Sequence, residues 1–222
     1  DFEHVVAQTD QKWNRELAKV RIESPDTAAL NIFYTGMYHA FLQPNLFNDC
    51  NKDYRGTDKK EYTGADFDNY TVFSLWDTYR AAHPLYTILQ PERVPDFIRS
   101  MLAIYEQQGL LPVWHLYGSD TKEMIGIQSV PVIADAILKG VPGFDYEKAF
   151  EAMKSSMLSN YKGLEYLKEG NYIPADREKE SVAKGLEYAI ADWGVAQVAK
   201  KLGKEEDYRW FKARSENYRE YW

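Results

Sequence analysis

The side chains best suited to chemistry recur where apolar helical segments begin: Trp76, Asp77 and Arg80, then His115 and Asp120, then Gln128, then Glu180 and Glu187. If those segment starts face one mouth, they surround one pocket. Carboxylates there could move protons, and the indole could serve as a stacking platform. Glycoside chemistry needs this combination of acid, base and aromatic floor. For any one of these groups the competing role is a helix cap or an inter-helix ion pair, because buried polar groups are mostly paired for structural reasons. Trp76 and Asp77 stand apart, since an indole and a carboxylate at one helix start form a ready hydroxyl-binding pair. Asp120 is a third and weaker candidate, and Arg80 is read as orienting Asp77 rather than touching a ligand.

Other chemistries find little support. His4, His39, His83 and His115 show no zinc-ligand spacing, and Cys50 is the sole cysteine, which excludes an internal disulfide and a Cys-based zinc site. The compartment stays open on that count. Residues 48–53, NDCNKD, are acidic but lack the glycine and closing glutamate of an EF-hand, and read as a solvated turn. No phosphate-cradling loop, dinucleotide fingerprint or serine nucleophile elbow occurs. With 27 Lys and Arg against 34 Asp and Glu, the net charge is −7, which argues against a general nucleic-acid binder. No apolar run approaches the ~20 residues of a membrane span. The chain opens at Asp1 without an apolar signal region, so any targeting segment is expected upstream or removed.

A length of 222 residues allows one or two domains. Glycine and proline punctuate a series of helical periods. The pattern predicts helices over 5–22, 27–42, 75–89, 94–108, 125–138, 145–158, 181–202 and 205–222, with a long irregular loop over 45–73. Ser74 and Asp77 have capping-box spacing, Pro131 falls in a first turn, and Asp145 is a cap. Helices over 94–108, 145–158 and 205–222 carry one apolar stripe, as surface helices do. Those over 27–42, 75–89, 125–138 and 181–202 are apolar or small around most of their circumference, as helices covered on both sides must be. With the first helix this makes about four outer–inner pairs. The expected fold is all-α, part of an (α/α)6 toroid, in which 1–222 is one segment cut from a larger catalytic domain. Trp222 on an apolar stripe without a stop signal, and helical pattern beginning directly after Asp1, prompt that reading. Aromatic residues, 15% of the chain, are read first as packing and second as platforms for sugars or bases.

Four long motifs make the sequence recognisable: YTGMYHAFLQPNLF, YTVFSLWDTYRAAHPLYTILQPERVPDFIRSML, GLLPVWHLYGSDTKEMIGIQSVPVIADAILKG and YIPADREKESVAKGLEYAIADWGVAQVAKKLGK. Together they resemble the catalytic domain of family 92 glycoside hydrolases, calcium-dependent exo-acting α-mannosidases, across nearly the whole chain. The resemblance implies an α/α toroid, a mannose-containing glycan as substrate, calcium as cofactor in the parent enzyme, and export to the periplasm, cell surface or beyond. It also implies inversion: a glutamic acid protonates the leaving oxygen while an aspartate activates water on the opposite face. Family members commonly have Glu-Thr where this chain has Asp120-Thr121, and often His where it has Gln128. The family's general acid, aspartate bases and most calcium ligands sit in downstream motifs that do not occur here. The catalytic residues and metal ligands are therefore expected outside 1–222. The segment is expected to supply the floor of the terminal-sugar pocket through Trp76, Asp77 and Asp120, and to depend on the remainder of its own polypeptide. A rival reading is a non-catalytic carbohydrate-binding or scaffold helical domain.

Overall fold

A computed structural model describes residues 1–221, in two compact units: Asp1–Pro44 and the remainder from Asn45. Trp222 and its expected place on an apolar stripe lie outside the described residues.

The first unit is a helix pair, α1 (Phe2–Leu17) and α2 (Thr27–Ala40). Asp1 caps α1 by accepting from the His4 amide at 2.8 Å, and Asp26 caps α2 by accepting from the Ala28 and Ala29 amides at 2.9 and 3.1 Å. Trp13 packs on Tyr38 with ring centroids 4.6 Å apart. The sequence pattern has α2 covered on both sides, but only Met37 is buried and Ile32 is 74% exposed. Two helices enclose too little volume to cover an apolar helix all round.

The second unit begins with short strands. β1 (Asn45–Leu46) pairs with β4 (Tyr70–Thr71), and β2 (Tyr54–Arg55) forms a hairpin with β3 (Glu61–Tyr62). β5 (Phe73–Ser74), β6 (Trp114–Leu116) and β7 (Ser119–Asp120) make an antiparallel sheet in that order. The fold is thus helix-rich with small sheets rather than all-α. The stretch 75–89 is not one helix either. It splits into α3 (Leu75–Thr78) and α4 (Ala82–Leu89). Pro84 is the cause: it lacks an amide hydrogen, and its ring clashes with the carbonyl four residues earlier, at Arg80. Ser74 makes no bond to the α3 backbone, so the capping box is not formed; its hydroxyl donates to the Asp77 carboxylate instead.

The remaining helices are α5 (Val94–Gln108), α6 (Ser129–Lys139), α7 (Tyr146–Met157), α8 (Leu164–Glu169), α9 (Ser181–Lys201) and α10 (Glu205–Arg214), followed by a 3₁₀ turn over Asn217–Tyr221. α5 and α7 bury one stripe each, as the spacing predicts, and Asp145 caps α7. α6 is buried on nearly all sides, packed against α4, α5, α7 and α9. Small residues permit this: a Cβ on Gly194 of α9 would lie 3.2 Å from the Ala134 methyl of α6. α9 is buried through most of its length, but Val182, Ile190 and Trp193 remain 45%, 44% and 50% exposed on one stripe. The helix expected over 205–222 stops at Arg214, with only Phe211 and Arg214 buried. Arg214 clamps it to α9 through a bidentate pair with Asp192, Nε to Oδ2 at 2.7 Å and Nη2 to Oδ1 at 2.5 Å, while stacking on Trp210. The inner helices α4, α6 and α9 pack in succession, with α5, α7 and α10 outside them.

Candidate functional site

Side chains from two distant segments converge on Glu187, in the second turn of α9. The Trp76 indole donates to Oε1 at 3.2 Å, the Tyr79 hydroxyl to Oε2 at 3.1 Å, and the Gln128 amide to Oε2 at 2.7 Å. The Arg80 guanidinium lies 3.6 Å from Oε1 and 4.9 Å from the centroids of both the Trp76 and Tyr79 rings. β5 fixes where α3 starts, because Ser74 is in register with Trp114 of β6. Positions 76, 79 and 80 then fall at i, i+3 and i+4, on one helical face. Gln128 occupies the N-cap position of α6 without a side-chain capping bond, and Gly126 near it adopts φ 81°. No side chain fits there: a Cβ would lie 2.3 Å from Gln128 Nε2 and 3.1 Å from Glu187 Cβ.

Glu187 is 12% exposed, and a carboxylate so enclosed is stable only when its charge and lone pairs are met. Three donors and one cation meet them. Burial, and next the Glu187 charge, hold the Tyr79 hydroxyl above its ordinary range, so it remains a donor. Gln128 is almost fully buried, and its amide nitrogen must face the carboxylate, which points its oxygen away; that Oε1 is buried without a hydrogen-bond partner. The result is a rigid wall: Trp76 and Tyr79 are held edge-on by Glu187 and faced by Arg80.

Asp77 sits on the same turn but is exposed, and the Ser74 hydroxyl is its one side-chain hydrogen bond among the described residues. Most of its carboxylate is open to a ligand. Arg80 pairs with Glu187 rather than orienting Asp77, contrary to the sequence-based reading. Asp120 is engaged quite differently. Its Oδ1 accepts from the Trp114 and Lys122 amides at 2.9 and 3.0 Å, and its Oδ2 from the Val113 amide and Gln108 at 3.0 and 3.1 Å. Those four bonds fill a carboxylate's acceptor sites. Asp120 therefore organises the loop around β6 and β7. His115, across the register from it, is buried between Thr57 (3.0 Å) and Thr71 (3.3 Å), and burial pushes it down to about 4.

Sequence reasoning noted Gln128 and Glu187 only as polar residues near helix starts, and passed over Tyr79. An i, i+3, i+4 reading of WDTYR would have flagged Tyr79. Glu180 does not join the cluster; it is exposed at the start of α9. Among the described residues no group of three or more His, Cys, Asp or Glu could hold a metal ion.

The family model for the glycosyl hydrolase family 92 catalytic domain matches residues 1–222. The chain belongs to glycosyl hydrolase family 92. A family GH92 α-mannosidase from Bacteroides thetaiotaomicron is 46% identical, superposes with a TM-score of 0.96, and is matched over 99% of this chain and 30% of its own. A second structure of that enzyme is a complex with mannoimidazole. A family GH92 inverting mannosidase from the same bacterium is 32% identical, with a TM-score of 0.92 over 99% of this chain and 31% of its own. An uncharacterized secreted glycosidase of Arthroderma benhamiae is 24% identical over 93% of this chain and 25% of its length. The family 92 chain thus spans under a third of the relatives it matches.

Proposed function

We propose that this chain is part of an inverting exo-α-mannosidase that hydrolyses terminal α-mannosyl linkages, and that it supplies the floor of the terminal-sugar pocket. The observation that carries the reading is the pairing of an open carboxylate, Asp77, with an indole locked in place by Glu187 on the same turn. Asp77 accepts hydrogen bonds from sugar hydroxyls, and the Trp76 ring packs on the apolar face of the pyranose. Trp76 keeps its orientation without a ligand because Glu187 and Arg80 hold it, so little ordering cost falls on binding. Asp120 supports this floor by fixing the neighbouring loop rather than by touching sugar. The solved relatives described as mannosidases, one of them complexed with mannoimidazole, support the substrate class.

The general acid, the base and the calcium implied by the family resemblance belong to other parts of the polypeptide in this reading. The two-layer packing of α4, α6 and α9 within α5, α7 and α10 makes three outer–inner pairs and supports part of an (α/α)6 toroid. Further segments of the polypeptide complete the toroid and cover the Val182–Ile190–Trp193 stripe of α9. Export is supported by the secreted fungal relative, and among the described residues no helix is long and apolar enough to cross a membrane.

The test is an aryl α-mannoside incubated with the full-length polypeptide and calcium, with the anomer of the released mannose followed by proton NMR. Initial release of β-mannose is the expected result. Initial α-mannose overturns inversion, and no release overturns the mannosidase reading. The isolated 222-residue chain should release nothing above background.

A further inference from the structure

A second cleft, of about 460 Å3, opens between the β2–β3 hairpin, α5 and the start of α7. That volume lies within the range of small-ligand sites. None of its lining residues belongs to the Glu187 cluster. Its walls are aromatic: Tyr54 and Tyr62 stack with centroids 5.2 Å apart and planes 12° from parallel, Phe67 meets Tyr54 at 5.9 Å, and Phe144 stands at the start of α7. All four rings are half-buried, so each keeps surface for a ligand.

The platform is built before any ligand arrives. The Tyr62 hydroxyl donates to Asp58 at 3.1 Å, and its ring lies where a Cβ on Gly56 would come within 2.6 Å. Only glycine leaves room for it. The Thr57 amide donates to Gln107 of α5 at 2.8 Å, tying the hairpin to a helix anchored in the core by one stripe. Four of the charges at the cleft are already paired, Arg99 with Asp66 and Lys148 with Glu106 at 2.7 Å, and the fifth, Asp145, accepts from the Glu147 and Lys148 amides. A charged ligand would have to break one of these pairs, whereas a neutral polyhydroxyl compound can bond to their free lone pairs and hydrogens. Burial pushes Tyr54 up to about 12, which keeps its hydroxyl a neutral donor.

We propose that this cleft is an accessory saccharide-binding site, which takes neutral hexose units of a polymeric glycan by aromatic stacking and holds the enzyme on its substrate. The proposal rests on the reading that the parent protein acts on glycans, and it adds a second contact beyond the terminal-sugar pocket. Holding a polymer at two places raises the effective concentration of its ends at the pocket.

The experiment uses the full-length polypeptide in native gels cast with and without yeast α-mannan, alongside hydrolysis of an aryl α-mannoside. Wild type should be retarded by mannan. Tyr62→Ala, and independently Phe144→Ala on the opposite wall, should weaken retardation about tenfold, as expected when one aromatic contact is lost. Tyr62→Phe, which keeps the ring, should be retarded nearly as wild type. All three should hydrolyse the aryl mannoside at the wild-type rate, which also shows that they are folded. Absence of retardation in wild type, or unchanged retardation in both alanine variants, overturns the accessory site. Retardation that depends on Tyr62 in a protein without aryl mannosidase activity leaves the site standing and overturns the mannosidase reading instead.

Discussion

The Trp76 indole and the Glu187 carboxylate, 111 positions apart in sequence, meet at 3.2 Å, and this contact joins α3 to the second turn of α9. It is the point where a local motif becomes a site. A single helical turn, closed by bonds such as that from the Tyr79 amide to the Leu75 carbonyl, has too few backbone bonds to hold a bulky ring in place. Glu187 supplies what the turn lacks, by fixing Trp76 and Tyr79 at their polar tips.

Replacing that carboxylate tests whether the ring orientation matters. Glu187→Gln keeps the shape but removes the charge and turns an amide group toward one of the three donors. Each lost bond to a charged acceptor is worth about 1.5–3 kcal/mol, so kcat/KM of the full-length enzyme should fall on the order of ten- to a hundredfold. The folded fraction should be judged by near-UV circular dichroism. A variant that unfolds more readily but turns over normally when folded would reduce Glu187 to a structural strut.

Asp77→Ala addresses the open carboxylate itself. The exposed side chain makes one side-chain hydrogen bond, to Ser74, so its loss should shift the melting temperature little. Turnover of α-mannosides should drop about ten- to a hundredfold, the worth of one charged hydrogen bond to a hydroxyl. The reverse pattern, with lowered stability and intact turnover, means that Asp77 serves the helix start and not the sugar.

Gly126→Ala should disturb the site through the backbone. The residue sits at φ 81°, and the new methyl would meet Gln128 Nε2 at 2.3 Å. Left-handed strain costs about 1–2 kcal/mol, and displacing Gln128 leaves Glu187 a donor short. Denaturant melts of full-length protein should show a loss of about 2–4 kcal/mol together with reduced activity. Unchanged stability would mean that the segment 124–128 relaxes freely.

How much of this could be read in the sequence depended on how local the cause was. The stripe Val94, Phe97, Ile98, Met101 and Leu102, and the Gly109 stop at φ 76°, need only the helical period and a left-handed terminator, and α5 follows both. The split between α3 and α4 was equally local, since Pro84 forbids a continuous helix, but the capping spacing of Ser74 and Asp77 drew attention away from it. Burial of α2 was misjudged because an apolar surface shows that something should cover it, not what does. Asp120 looked like a ligand group because its type is visible and its four partners, mostly backbone amides, are not. The Glu187 cluster was not legible as a cluster. Residues 76–80, 128 and 187 meet only once α6 has packed against α9, and no spacing rule links them.

Two buried histidines contribute to the acid sensitivity of the fold, opposed by Asp192, whose carboxyl is raised by burial to about 6. Burial pushes both His83 and His115 from 6.5 down to about 4. Between those values the unfolded chain binds protons that the folded chain refuses, so stability rises with pH across the window. It is complete above pH 6.5 and is lost as pH falls toward 4. Each histidine contributes about 3 kcal/mol to that loss. His83 packs between Tyr86 and Phe97 (centroids at 5.3 and 6.2 Å), so His83→Phe should fit and flatten the slope. Urea midpoints of the full-length protein measured from pH 4 to 7 check this, and parallel slopes for wild type and variant would refute the assignment.

The last expectation concerns the exposed stripe of α9. Val182, Ile190 and Trp193 lie at i, i+8 and i+11, on one face, at 45%, 44% and 50% exposure, while the opposite face is closed by α6 and α10. A cleft of about 520 Å3 beside the 3₁₀ turn continues this apolar surface through Leu186 and Tyr218. Contiguous apolar surface of this kind drives association unless it is covered. Sedimentation of the isolated 222-residue chain should therefore show self-association. Ile190→Lys with Trp193→Lys should shift it toward monomer, because two buried charges cannot be desolvated cheaply in the contact. If further segments of the polypeptide cover the stripe, as the proposed toroid requires, the same pair of substitutions should lower the stability of the full-length protein. A wild-type segment that stays monomeric and unfolds cooperatively would mean that this face needs no cover.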